Sequence, residues 1–156
     1  MFLPKTLIVA LVATVAAPAI AGPVDLVTKV LTEKRVAAKD GTTRVDLKAT
    51  GHAVPGDKLV YQLTYRNTGT QPVKDFVLSN PLPQGVNYVA PADGSPAPEL
   101  SVDGSTFGSL AALRVKGPDG ALRSASSDDV KVVRWRLAQP LAPGAAGQVA
   151  FRAVLR

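Results

Sequence analysis

Apolar and polar residues alternate with a period of two in several short stretches, and the clearest of them sets the reading of the rest. Leu59, Tyr61, Leu63 and Tyr65 alternate with Val60, Gln62, Thr64 and Arg66, the pattern of a strand with one face on a core. Pro55-Gly56-Asp57 opens this strand with turn residues, and Asn67-Thr68-Gly69-Thr70 closes it with residues suited to positive φ. A further strand carries Val73, Phe76 and Leu78 and stops at Pro81 and Pro83, whose ring nitrogens cannot donate to a ladder. Residues 130–137 predict a strand with Val133, Trp135 and Leu137 inward. After a Pro- and Gly-rich turn containing Gly144, the last strand turns Val149, Phe151, Ala153 and Leu155 inward. Trp135, the only tryptophan, is the expected centre of the core.

The remaining segments are weaker versions of the same pattern. Residues 24–36 fit a helix nearly as well as a strand, and their valines and threonines favour the strand. Asp40-Gly41 makes a turn, after which 43–50 alternates with Val45 and Leu47 expected inward. Residues 90–98 are a loop rich in Pro, Gly and Ala. Asp103-Gly104 and Pro118-Asp119-Gly120 each centre a short reversal, and 124–129 is a polar loop. Short strands punctuated by Gly, Pro and Asp-Gly imply an all-β, antiparallel Greek-key sandwich of about seven or more strands.

The turn and strand motifs together resemble the bacterial conserved repeat domain (domain of unknown function eleven), an Ig-like module of envelope and surface proteins. The residues that carry the resemblance are Pro55-Gly56-Asp57, Tyr61, Asn67-Thr68-Gly69, Pro81-Leu82-Pro83, Gly85 and Tyr88. Asn80 stands where that family has an aspartate. Ser101-Val102-Asp103-Gly104, Trp135, Leu141-Ala142-Pro143-Gly144 and Phe151 to Leu155 look like its later strands. The resemblance implies an Ig-like fold and a place at the cell surface; the family has no agreed biochemical activity.

The N-terminus adds a destination. Lys5 precedes an apolar run over 6–17, short for a membrane span, and Ala19-Ile20-Ala21 offers small residues at the positions a signal peptidase reads. The expectation is a signal peptide over 1–21 and one Ig-like domain over 22–156, exported to the periplasm, cell surface or medium with no transmembrane segment in the mature chain. The chain has no cysteine, so an exported fold must rest on its apolar core alone, and thiolate zinc is excluded.

Charge raises a second possibility. The chain carries 18 Lys and Arg against 12 Asp and Glu, and the excess lies late: from Leu113 onward eight basic residues face only Asp119, Asp128 and Asp129. Arg134 and Arg136 lie opposite Val133, Trp135 and Leu137 on their strand, and Arg152 and Arg156 opposite the inward row of the last strand. If the two strands pair, all four guanidiniums share one solvent face suited to anionic polysaccharide or lipid headgroups.

Catalytic chemistry finds little material. His52 is the only histidine and sits in a turn, with no second His or Cys to hold a transition metal. Ser124, Ser126 and Ser127 adjoin Asp128 and Asp129 without a nearby base. Glu33 and Glu99, the only glutamates, are far apart in the chain. No cofactor is expected; calcium is the one to weigh, because Asp93, Asp103, Asp119, Asp128 and Asp129 fall in predicted loops, though without a calcium-loop spacing. No phosphate-binding loop or aromatic stacking platform points to a specific nucleic acid.

The leading expectation is therefore a non-enzymatic Ig-like module with a structural or adhesive role at the bacterial envelope, with other envelope proteins as partners. The alternatives are a module that binds anionic ligands through the basic face, and a subunit that assembles by strand addition, with segment 24–36 completing a neighbour's sheet.

Overall fold

In the computed structural model, which describes residues 23–49 and 51–156, the chain is an antiparallel β-sandwich. The expected leader over 1–21 lies outside the described residues. The strands are β1 (Val24–Ala37), β2 (Thr43–Ala49), β3 (Lys58–Asn67), β4 (Val77–Pro81), β5 (Val86–Pro91), β6 (Glu99–Ser101), β7 (Arg114–Lys116), β8 (Leu122–Ser124), β9 (Val132–Arg136) and β10 (Ala146–Leu155). One sheet has the order β2-β1-β3-β10-β5 and the other β4-β9-β6, with β7 and β8 as a separate hairpin. The chain changes sheet between β3 and β4, β4 and β5, β5 and β6, and β9 and β10. Such crossing interleaves distant segments around one core.

That core is where the period-two patterns converge. β3 contributes Leu59, Tyr61 and Leu63, β10 contributes Val149, Phe151 and Ala153, and β9 contributes Val133 and Trp135. Leu78, Tyr88 and Leu100 close it from β4, β5 and β6. Its hub is Phe151, at 0% exposure. Tyr61 stacks on that ring with centroids 4.9 Å apart, and Tyr88 and Trp135 lean on it at 6.0 and 6.1 Å. Trp135 is buried beside the hub and its indole N–H donates to the Pro96 carbonyl at 2.9 Å, which satisfies the one polar atom the ring carries inward.

The turn motifs are clamps between distant segments. The Gly56 N–H donates to the Leu155 carbonyl at 2.7 Å and the Leu155 N–H donates to the Asp57 carbonyl at 3.1 Å. The Asp57 carboxylate accepts from the Val54 N–H at 2.9 Å. Gly56 takes a φ of +95°, a conformation that costs a side-chain-bearing residue dearly. Gly85 receives the Arg156 N–H at 2.7 Å, so two turns hold the end of the last strand. Pro81 is the final residue of β4, and Pro83 begins the turn in which its carbonyl accepts from Val86.

Asn67 was expected in a tight turn; it is the last residue of β3 and fully buried. Its Nδ2 donates to the carbonyls of Gln71 and Leu141, both at 2.8 Å, and its Oδ1 accepts from the Gly69 N–H at 2.9 Å. Its carbonyl accepts from Gly144, and its N–H donates to Ala145. Gly69 is required for closeness: a Cβ there would lie 2.6 Å from Pro23 Cβ.

One expectation about β2 is reversed. Val45 and Leu47 do not face the core; they are 52% and 48% exposed. Thr32 lies opposite both Leu59 and Lys48, so Arg44, Asp46 and Lys48 share the core-side face of the sheet. Val45 and Leu47 take the outer face, with Leu47 opposite Glu33. The second sheet has three strands against five, and the buried core holds no residue of β2. Strand β2 thus extends the wide sheet past the core, while β1 still packs Val30 against it.

Candidate functional site

The four arginines expected on one face are separated by the fold. β9 lies between β4 and β6, whereas β10 lies between β3 and β5 in the other sheet. Alternation does place Arg134 and Arg136 opposite the inward Val133 and Trp135, and Arg152 opposite Phe151. The two strands belong to opposite layers, so their outward faces point apart and the expected four-arginine surface does not form.

Each layer instead spends its arginines on local acids. Arg134 Nε donates to Glu99 Oε2 at 2.8 Å, and its guanidinium lies 3.4 Å from the Phe107 ring centroid. Arg156 Nη2 donates to Asp128 Oδ1 at 2.9 Å. Arg152 holds two carboxylates: Nε donates to Glu33 Oε1 at 2.7 Å, and Nη1 and Nη2 donate to Asp93 at 3.1 and 2.8 Å. These bonds push the Arg152 guanidinium further above its ordinary range, and the same contact holds the Asp93 carboxyl below the usual carboxylate range. Arg136 is exposed, and no carboxylate among the described residues is paired with it.

Arg152 sits in a trough on the outer face of the five-stranded sheet. One part, of about 320 Å³, is lined by Glu33, Val45, Val89, Arg152 and Val154. An adjoining part, of about 210 Å³, is lined by Leu47, Val60, Ala92 and Asp93 together with Glu33, Val45 and Arg152. Val60 is buried although it points away from the core, because this concave face shelters it. A second groove, of about 380 Å³, opens at one end of the sandwich between Tyr65, Trp135, Leu137 and Val149, with Glu99, Arg134 and Arg136 on its rim.

The loop aspartates weighed as calcium ligands are engaged separately. Asp103 Oδ1 accepts from the Ser105 and Thr106 N–H groups at 2.8 and 2.7 Å and from the Ser101 hydroxyl at 3.0 Å. The backbone donors hold its carboxyl well below the usual range. Asp129 pairs with Arg123 at 2.6 and 2.7 Å and caps the 3-10 turn Ser127–Asp129 through Ser126, and is held low for those reasons. Asp119 accepts from the Ala121 N–H, and Asp128 from Asn87. Among the described residues no three His, Asp or Glu side chains gather as a metal set. His52 is exposed and lines a shallow depression with Asp57, Lys34 and Lys48. Burial pushes the Tyr61 and Tyr88 phenols up, which keeps both neutral inside the core.

Sequence reasoning missed Glu33 and Asp93 as partners of Arg152. The contacts span 119 and 59 residues of chain, and nothing local to either acid marks them. Segment 24–36 forms β1 as expected, within its own sheet, bonded to β3 over 24–32 and to β2 over 31–37. The end strands of that sheet are β2 and β5, and β2 covers only 31–37 of β1. No helix among the described residues is long and apolar enough to cross a membrane. No protein-family model, no curated protein and no solved structure matches this chain.

Proposed function

We propose that this chain is an exported, non-enzymatic Ig-like module with a structural or adhesive role at the bacterial cell envelope or surface, and that it works by contact. The observation that carries the reading is the unequal width of the two sheets. The sandwich seals its own core, with Phe151, Leu63 and Val133 at zero exposure, yet holds Val27, Val45 and Leu47 about half exposed on the outer face of its wider sheet. An apolar surface on an otherwise sealed module marks a place where something docks. The motif residues shared with the conserved repeat domain add support, because Pro55-Gly56-Asp57, Asn67 and Gly69 each carry a clamp that joins distant strands.

The test is photo-crosslinking in living cells with a benzophenone side chain at Val27 or Leu47, and at Leu122 as a more accessible control on the β7–β8 hairpin, 69% exposed. The expected result is crosslinked envelope species from Val27 and Leu47 and none from Leu122. Protein found in the cytoplasm, or no adduct from either site, would contradict the reading.

A further inference from the structure

β2 is one of the two end strands of its sheet. Natural edge strands are blunted by short length, prolines, bulges or charged side chains; β2 carries charges, but of both signs, in Arg44, Asp46 and Lys48. The sequence Thr-Arg-Val-Asp-Leu-Lys-Ala contains no proline or glycine, and its register with β1 runs unbroken from Thr43 to Ala49. The backbone phase of that edge follows from the hairpin. The Ala38 N–H donates to the Thr42 carbonyl, so hydrogen-bonded pairs with β1 recur at Arg44, Asp46 and Lys48. Thr43, Val45, Leu47 and Ala49 therefore turn their N–H and C=O groups to the open side.

The charges select what fits there. An antiparallel copy related by a two-fold axis must place each residue opposite one on the same face. Centred on Asp46, the pairing sets aspartate against aspartate and Arg44 against Lys48. Centred on Leu47, it sets Asp46 against Lys48 twice and leaves no acid opposite Arg44. Centred on Val45, it sets Arg44 against Asp46 twice, with Thr43 opposite Leu47, Val45 opposite itself and no acid opposite Lys48. Two registers thus pair acids with bases, and the Val45-centred one builds on a contact already present, since Arg44 reaches Asp46 of its own strand at 3.1 Å. The Val45-centred register turns two such pairs into a square of alternating charge, and the exposed Val45 and Leu47 of both copies join into one apolar band on the outer face.

We propose that β2 is a homotypic docking edge, at which a second copy of this chain adds its own β2 antiparallel, centred on Val45, to make a continuous ten-stranded sheet. The proposal rests on the reading of the protein as a contact module, and names the contact.

The protein itself supplies a clean probe, because it has no cysteine. Hydrogen-bonded antiparallel partners lie with Cα atoms about 5.5 Å apart, inside the span of about 4.4–6.8 Å that a disulfide bridges. Val45→Cys is expected to crosslink to its own copy under mild oxidation at least tenfold faster than Leu47→Cys. Sedimentation velocity of the mature chain across a concentration series gives the second measure. Arg44→Glu and Asp46→Arg are each expected to weaken the dimer at least tenfold, and the double variant Arg44→Glu/Asp46→Arg to restore it to within about threefold of wild type. Circular dichroism and Trp135 fluorescence verify that every variant is folded. A wild-type chain that stays monomeric at high concentration, a faster Leu47→Cys crosslink, or a double variant no better than the singles would overturn the proposal. A monomeric chain that still crosslinks to a different envelope protein from Leu47 overturns the homotypic edge while leaving the contact reading standing.

Discussion

Replacing Asn67 tests whether the Asn-Thr-Gly motif is a turn signal or a clamp. Alanine there removes three hydrogen bonds of 2.8, 2.8 and 2.9 Å, two accepted by backbone carbonyls and one donated by a backbone N–H. Each bond contributes about 1 kcal/mol net, and each buried group left without a partner costs about 1–3 kcal/mol. Water reaches the Gln71 and Gly69 ends, so the expected loss is about 3–5 kcal/mol, a large share of the roughly 5–15 kcal/mol of an ordinary domain. Asn67→Asp is sharper. A carboxylate in that position faces two carbonyl oxygens in a buried site, which raises its folded pKa above the unfolded value. A group whose folded pKa is raised is best accommodated below the unfolded pKa, and its benefit is lost as pH rises through the folded one. The penalty relative to wild type is therefore greatest at neutral pH and shrinks as pH falls toward about 4. Urea unfolding followed by the fluorescence of Trp135, the sole tryptophan, reads both effects. An Asn67→Ala variant within about 0.5 kcal/mol of wild type, or an Asn67→Asp penalty independent of pH, would refute the reasoning.

Three further outcomes follow from the core and the ion pairs. Trp135→Ala should cost about 3–5 kcal/mol, since it opens a cavity against Phe151 and frees the Pro96 carbonyl, and a near-native urea midpoint would contradict the packing described. Arg152→Met leaves Glu33, whose side chain is 12% exposed, without its partner. This should destabilise the fold by about 1–3 kcal/mol, whereas Glu33→Gln/Arg152→Met should recover part of that, a result read by a double-mutant cycle. The Asp103 and Asp129 carboxyls are held low by hydrogen bonds and, for Asp129, by Arg123. Folded pKa values below the unfolded ones give stability that is complete above about pH 4 and declines as pH falls below it; Asp103→Asn should flatten that decline, and equal acid slopes in the two proteins would count against it.

Strands β3, β9 and β10 were legible because their alternation is strict and their apolar faces are large. Leu59, Tyr61 and Leu63, like Val133 and Trp135, fall on one face of their strand, and all five are buried. Alternation also separated the faces of β2 correctly, but it does not say which face meets the core. That is set by the register with β1, which puts Lys48 beside Thr32 on the core side and Leu47 beside Glu33 on the outer face. The arginines failed for a related reason. The outward direction of Arg134 and Arg152 is local, whereas the neighbours of β9 and β10 are set by a crossing between sheets that no short stretch records. Asn67 carries a true turn signal in Thr68-Gly69, yet its role depends on Leu141, 74 residues away.

The measurement that bears most directly on the central claim is the intact mass of the native protein recovered from separated cell fractions. An exported contact module should be found outside the cytoplasm with Gly22 as its first residue and the apolar run before it removed. A full-length chain beginning at Met1 in the cytoplasmic fraction would contradict the account.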